Sequence, residues 1–243
     1  MDYKTFLPSA PADYMSDGYV FIDSKRIVEL MQDNGMSMTK FSARKSDPFG
    51  KHYLEFQPAG QELLFNEVAP RIILCNSYDG TAKARIIQGL FRLVCTNGLV
   101  TGSIYDSEAT MHIGEDALKV IEKAVQSSKD VHKLVKQIEE WKGLHLTPAE
   151  QLQYSEQALA LRFSSNSFSA SVLAQPRRRA DVGSDLWRLF NRIQENCTKG
   201  GLPGMNSLGQ PVMSRGITSF DTDHTFNRKL WEMTSKFVET IDV

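Results

Sequence analysis

Along the first half of the chain, apolar positions come in short bursts that alternate or run together. Along the second half they recur every three or four residues. The first spacing is that of half-buried or fully buried strands, and the second is that of one face of a helix. Tyr19-Val20-Phe21-Ile22 is a short β-type run ending at Asp23-Ser24. Ser24 is placed to cap a helix from Lys25 to about Asn34, with Ile27, Leu30 and Met31 on its apolar face and Gly35 as its stop. A return strand is expected near Ser37 to Ala43. Residues 52–57 alternate as a second strand, and Arg71 to Cys75 is apolar on both faces, as a third. The turn-rich stretch Pro58 to Pro70 reads as a loop.

Asn76-Ser77-Tyr78-Asp79-Gly80 is a turn signal. After it, Ile86, Ile87, Leu90, Phe91 and Val94 stand at helical spacing and predict a helix over Thr81 to Val94. Gly89 weakens that helix by about 1 kcal/mol relative to Ala. Asn97-Gly98 is a further turn, and Leu99 to Ile113 reads as hairpin-like. From Asp116 to Trp141 the spacing predicts one long amphipathic helix. Thr147-Pro148-Ala149-Glu150 carries a cap residue, Pro at the first helical position and a Glu that reaches back, opening a helix to about Phe163. Residues 164–171 read as a polar linker and 200–216 as a long Gly- and Pro-bearing loop. Ser184 is expected to cap a helix bearing Leu186, Leu189, Phe190 and Ile193. Asp221 to Asp223 opens a last one, with Phe226, Leu230, Met233 and Phe237 facing inward.

These elements define an α+β chain, with a β-containing N-terminal half and a helical C-terminal half in a single compact unit. Residues 1–18 are expected as a loosely ordered leader and 19–240 as the domain, with a sub-boundary near 114. A length of 243 residues buries a substantial core without metals or disulfides. Cys75, Cys95 and Cys197 are too few and too scattered for a disulfide framework, and are expected as reduced, buried thiols. The N-terminus lacks a basic-then-apolar signal pattern, and no apolar stretch approaches the roughly 20 residues needed to span a bilayer. The expected location is the cytoplasm, without a membrane partner.

The formal net charge is −1, so attraction to nucleic acid has to come from a local patch. Between residues 176 and 229 there are nine Lys or Arg against five Asp or Glu, whereas 106 to 156 holds six Lys against ten acids. The positive stretch holds Arg177, Arg178 and Arg179 after Pro176, then Arg188 and Arg192 four apart on one helix face. Such a stripe suits phosphate contacts; it equally suits a solvated surface paired to Asp181 and Asp185. Asn191, Gln194, Glu195 and Asn196 share that helix.

The turn from Asn76 through Ser77, Tyr78, Asp79 and Gly80 to Lys83 leads into the expected helix at Thr81. There, backbone N–H groups at a helix start can hold an anion, or the polar side chains can simply satisfy the turn. Asp221, Asp223 and His224 fit helix capping better than a metal site. Phosphate-binding, dinucleotide-binding and nucleophile-elbow motifs do not occur, and the histidines form no metal-ligand pair. The reading is no catalytic residue, no metal and no cofactor.

Several strings together resemble one family. They are Arg71-Ile-Ile-Leu-Cys-Asn-Ser-Tyr-Asp-Gly80, Gly89-Leu-Phe-Arg-Leu-Val-Cys-Thr-Asn-Gly98, Ala158-Leu-Ala-Leu-Arg-Phe163, Pro176-Arg-Arg-Arg-Ala-Asp181, Leu186-Trp-Arg-Leu-Phe-Asn-Arg-Ile-Gln-Glu-Asn196 with Gly200-Gly201, and Asn227-Arg-Lys-Leu-Trp231. In this order, from about Tyr19 to Phe237, they resemble the domain-of-unknown-function 932 family of phage/plasmid-like proteins. The family usually shows His where this chain has Tyr78, so no role of that His transfers. The resemblance implies carriage by phages, prophages or plasmids, among genes that often serve replication and recombination. It supplies no activity, substrate or cofactor.

The leading expectation is a non-catalytic nucleic-acid-binding accessory protein, with DNA as partner and single strands favoured. The candidate contacts are Arg177, Arg178, Arg179, Arg188, Arg192, Lys83 and Tyr78, with Tyr78 or Trp187 able to stack on bases or to pack in a core. An alternative is a protein-binding inhibitor of a host defence factor. A third is an enzyme assembled around 76–97, where Asp79, Lys83, Arg85, Arg92 and Asn97 flank the expected helix.

Overall fold

The computed structural model describes residues 2–59, 68–92, 131–163 and 167–241. The α+β class holds, with the sheet in the N-terminal half and helices in the C-terminal half. The chain divides into two compact units, Met1–Val94 with Ser103–Val131, and Cys95–Gly102 with His132–Val243. The expected sub-boundary near 114, the hairpin over 99–113, the first part of the 116–141 helix and Asn97 fall outside the described residues.

In the first unit, α1 (Tyr3–Phe6) and α2 (Ser24–Asp33) precede an antiparallel sheet of order β1-β2-β3-β4. Its strands are β1 (Met36–Ala43), β2 (His52–Pro58), β3 (Val68–Asn76) and β4 (Arg85–Arg92). In β2 the alternation is literal: His52, Leu54 and Phe56 are buried and their neighbours are half-buried. β3 is buried almost throughout, as an inner strand should be. Met31, Leu54, Phe56, Leu74 and Tyr78 form the centre of this core.

Four expectations are corrected here. Within the segment expected as a helix over 81–94, Arg85–Arg92 is strand β4, and it pairs with β3 from Cys75↔Arg85 to Val68↔Arg92. Ile86-Ile87 is β-branched and Gly89 is a poor helix residue, so local preference sided with the sheet although the spacing fits a helix. β3 also starts at Val68, inside the expected loop. Tyr19–Ile22 is not a strand. The leader is packed: Tyr3, Leu7 and Ala12 are buried, and the Ala12 N–H bonds the Tyr78 carbonyl at 3.0 Å.

The second unit holds α3 (Val131–Gly143), α4 (Pro148–Arg162), α5 (Ala170–Leu173), a 3₁₀ turn (Arg179–Asp181), α6 (Leu186–Lys199), the ribbon β5 (Pro203–Met205) and β6 (Pro211–Met213), and α7 (Phe220–Ile241). The capping box forms as read, with the Thr147 N–H donating to Glu150 at 2.7 Å. Asp185 rather than Ser184 caps α6, accepting from the Arg188 N–H at 3.0 Å. A ribbon occupies what reads as a loop, and α5 begins inside the expected linker. Trp141, Trp187, Phe190 and Trp231 cluster at ring distances of 4.4 to 6.4 Å. Phe190, Ile193, Leu230 and Phe237 are all buried. Among the described residues, no helix is long and apolar enough to cross a membrane.

Candidate nucleic-acid interface

The polar turn does not open a helix, so its expected anion site at a helix start has no helix to supply it. Its side chains satisfy the turn instead. The Ser77 hydroxyl donates to the Ala82 carbonyl at 3.0 Å and accepts from the Ala82 N–H at 2.9 Å. The Asp79 carboxylate accepts from the Thr81 N–H at 2.9 Å and from its hydroxyl at 2.6 Å. Gly80 adopts φ of 74°, which suits a residue without a Cβ. Lys83 is exposed beyond it.

Beneath the turn lies a buried polar staple that sequence reading misses. The β2–β3 register sets His52 opposite Asn76, and α2 starts against both. The Asn76 amide donates to the Ile22 carbonyl at 2.8 Å and to the Ser24 hydroxyl at 2.9 Å. Ser24 Oγ lies 2.8 Å from His52 Nε2, and His52 Nδ1 lies 3.1 Å from the Gly50 carbonyl. A carbonyl only accepts, so Nδ1 carries the proton and Nε2 accepts from Ser24. The spacing is that of a nucleophile and its base, but Ser24 and His52 are wholly buried, so no substrate reaches the hydroxyl. Burial lowers the His52 pKa, opposed by the Gly50 carbonyl and Asp79. Tyr78 is buried too; its hydroxyl accepts from the Ser24 N–H at 3.0 Å and its ring meets His52 edge-on at 5.0 Å. Neither Tyr78 nor Trp187, which is 1% exposed, has a face to offer a base.

The five arginines do not form an open stripe. Arg178 grips Glu195 with both Nε and Nη2, at 2.9–3.0 Å. Glu195, itself buried, also holds Lys199. Burial alone would raise the Glu195 carboxyl, but the bonds from Arg178 and Lys199 outweigh it and hold the pKa below the usual range. Arg188 pairs with Asp185 at 2.6 Å. Arg192 is buried, donating to the Gly183 carbonyl at 2.9 Å and to Gln151 at 3.3 Å. Arg179 is exposed at the 3₁₀ turn.

Arg177 differs. Its partners are the Asn196 amide oxygen and the Gly200 carbonyl, both neutral, so its charge is not cancelled. Arg162, from α4, is held likewise by the Arg215 carbonyl at 3.0 Å and the Cys197 carbonyl at 3.4 Å. These bonds place both arginines at the base of the β5–β6 ribbon. Gly200 sits there so tightly that a Cβ would lie 2.4 Å from the Gly216 nitrogen. Arg215 is exposed on the same base. From 196 to 220 the sequence has Lys199 and Arg215 and no carboxylate. That acid-free window was readable in the sequence; the gathering of Arg162 and Arg177 around it was not.

A four-stranded antiparallel sheet unit and a helical unit bearing a basic-collared ribbon define an α+β protein. The chain belongs to the family described as domain of unknown function (DUF932), whose model matches residues 11–231. It is 33% identical over 225 residues to the UPF0380 protein YfjQ of Escherichia coli (strain K12), covering 90% of this chain and 82% of that protein. The UPF0380 protein YafZ of the same strain matches with the same figures. No solved structure matches.

Proposed function

We propose that this protein is a non-catalytic nucleic-acid-binding accessory of the phage or plasmid type, and that it grips phosphates with the collar at the ribbon base. One observation carries the reading: Arg162 and Arg177 are oriented by neutral acceptors beside exposed Arg215, in a stretch without carboxylates. A guanidinium bonded to carbonyls is pre-organised yet still fully charged, which is the state a phosphate contact needs. Arg178, Arg188 and Arg192 fix this surface in place, and their own charges are balanced or buried. Titration of labelled single- and double-stranded oligonucleotides at two salt concentrations tests it. Wild type should bind at low salt and weaken as salt rises, because each phosphate contact releases condensed counterions. Arg177→Gln with Arg215→Ala should weaken binding to every sequence and flatten the salt slope by about one per lost contact. Absence of binding at low salt removes the proposal.

A further inference from the structure

The β5–β6 ribbon carries its apolar side chains outward. Pro203 pairs with Met213 and Met205 with Pro211, so these four side chains share one face. All four are exposed, Met205 at 57% and Met213 at 63%. The other face is clamped. A Cβ on Gly204 would lie 2.1 Å from the Ser167 carbonyl oxygen and 2.6 Å from the Phe168 ring, and the Met205 N–H bonds that same oxygen at 2.9 Å. At the tip, the Asn206 side-chain oxygen accepts from the N–H groups of Leu208 at 3.0 Å and Gln210 at 2.9 Å. This bracing presents Leu208 at 79% exposure. Apolar surface held out on a braced element marks a contact site.

Charge identifies what covers it. The apolar tip rises from Arg162, Arg177 and Arg215, and residues 196–220 carry no carboxylate. Phosphates on the outside and bases on the inside complement that arrangement. The ribbon carries no aromatic ring, so it is no stacking platform for single strands. Met, Leu and Pro are instead the side chains that enter between base steps from the minor groove. Resting on the nucleic-acid reading above, we infer that the ribbon is an apolar wedge that opens a base step of a duplex, Leu208 leading and the collar holding the flanking phosphates.

The test uses the full chain and a duplex carrying 2-aminopurine, which brightens when unstacked. Wild type should raise the fluorescence. A Met205→Ser, Leu208→Ser, Met213→Ser variant should keep the wild-type melting temperature and salt slope. It should lose the fluorescence rise and bind about tenfold more weakly, because the wedge's contribution is gone while the phosphate contacts stay. Duplex binding without brightening, or binding of single strands only, overturns the wedge and leaves the function proposal standing. No binding of any oligonucleotide removes both. A fall in sedimenting mass on the triple substitution assigns the face to a second copy of the chain, and also overturns the wedge.

Discussion

The Ser24 hydroxyl and His52 Nε2 meet at 2.8 Å across 28 residues of sequence, both wholly buried. This pair should make the sheet unit sensitive to pH. Burial lowers the His52 pKa below the ordinary value of 6.5. In the window between that lowered value and 6.5, the unfolded chain binds a proton that the folded chain does not, so stability rises with pH. It is fully present above 6.5 and is lost as pH falls toward the folded value. Urea unfolding between pH 8 and 5 should show this loss in wild type, and His52→Gln should remove that component. His52→Ala should cost about 2–3 kcal/mol at neutral pH, because it strands the buried Ser24 hydroxyl and opens a cavity. Equal pH dependence in wild type and His52→Gln would refute the assignment.

Glu195 is the anion around which the C-terminal basic cluster is organised. It accepts a bidentate grip from Arg178, whose side chain is 25% exposed, and a further bond from Lys199. Removing the carboxylate leaves two cations close together, with side-chain exposures of 25% for Arg178 and 37% for Lys199. Allowing for the partial exposure of both Arg178 and Lys199, Glu195→Ala should cost about 1–3 kcal/mol, read by denaturant unfolding at neutral pH. The Glu195 pKa is lowered on folding, so this stability is present above the ordinary value of 4.5 and is lost as pH falls through the folded value. Substitution at Glu195 with no effect on stability would show that the cluster does not fix this part of the fold.

The outcome at each element follows from which physics was local. The capping box at Thr147 and Glu150 was legible because its partners lie three residues apart. The alternation of β2 and the buried run of β3 were legible because burial on one or both faces writes itself into the sequence. Strand β4 was misread because Ile86, Ile87, Leu90 and Phe91 satisfy the helical period, while the deciding fact is eight residues of pairing with β3. The staple of Ser24, His52 and Asn76 depends on a strand register that no single segment encodes. The arginine stripe had the right helix spacing. Its charges are taken up locally, by Glu195 of the same helix for Arg178 and by Asp185 for Arg188, and away from the helix by the Gly183 carbonyl with Gln151 around Arg192.

Gly204 offers a prediction in which the sign itself is informative. Within a strand, alanine normally outperforms glycine, because glycine loses more conformational freedom on folding. At 204 the order should reverse. The added methyl would stand 2.1 Å from the Ser167 carbonyl oxygen, a backbone atom that cannot swing away, and 2.6 Å from the Phe168 ring. The ribbon has to lift, losing the 2.9 Å bond between the Met205 N–H and that oxygen. Gly204→Ala should therefore lower stability by about 1–2 kcal/mol. It should also speed proteolytic cleavage at the 206–209 tip, because a lifted ribbon frays more often. Gly209→Ala is the control. Its φ of 71° makes a side chain strained, but nothing lies within 4 Å of the added methyl. It should cost about 1 kcal/mol without detaching the ribbon from Ser167. If Gly204→Ala is neutral or stabilising, with unchanged tip proteolysis, the ribbon is not clamped and the bracing described above is wrong.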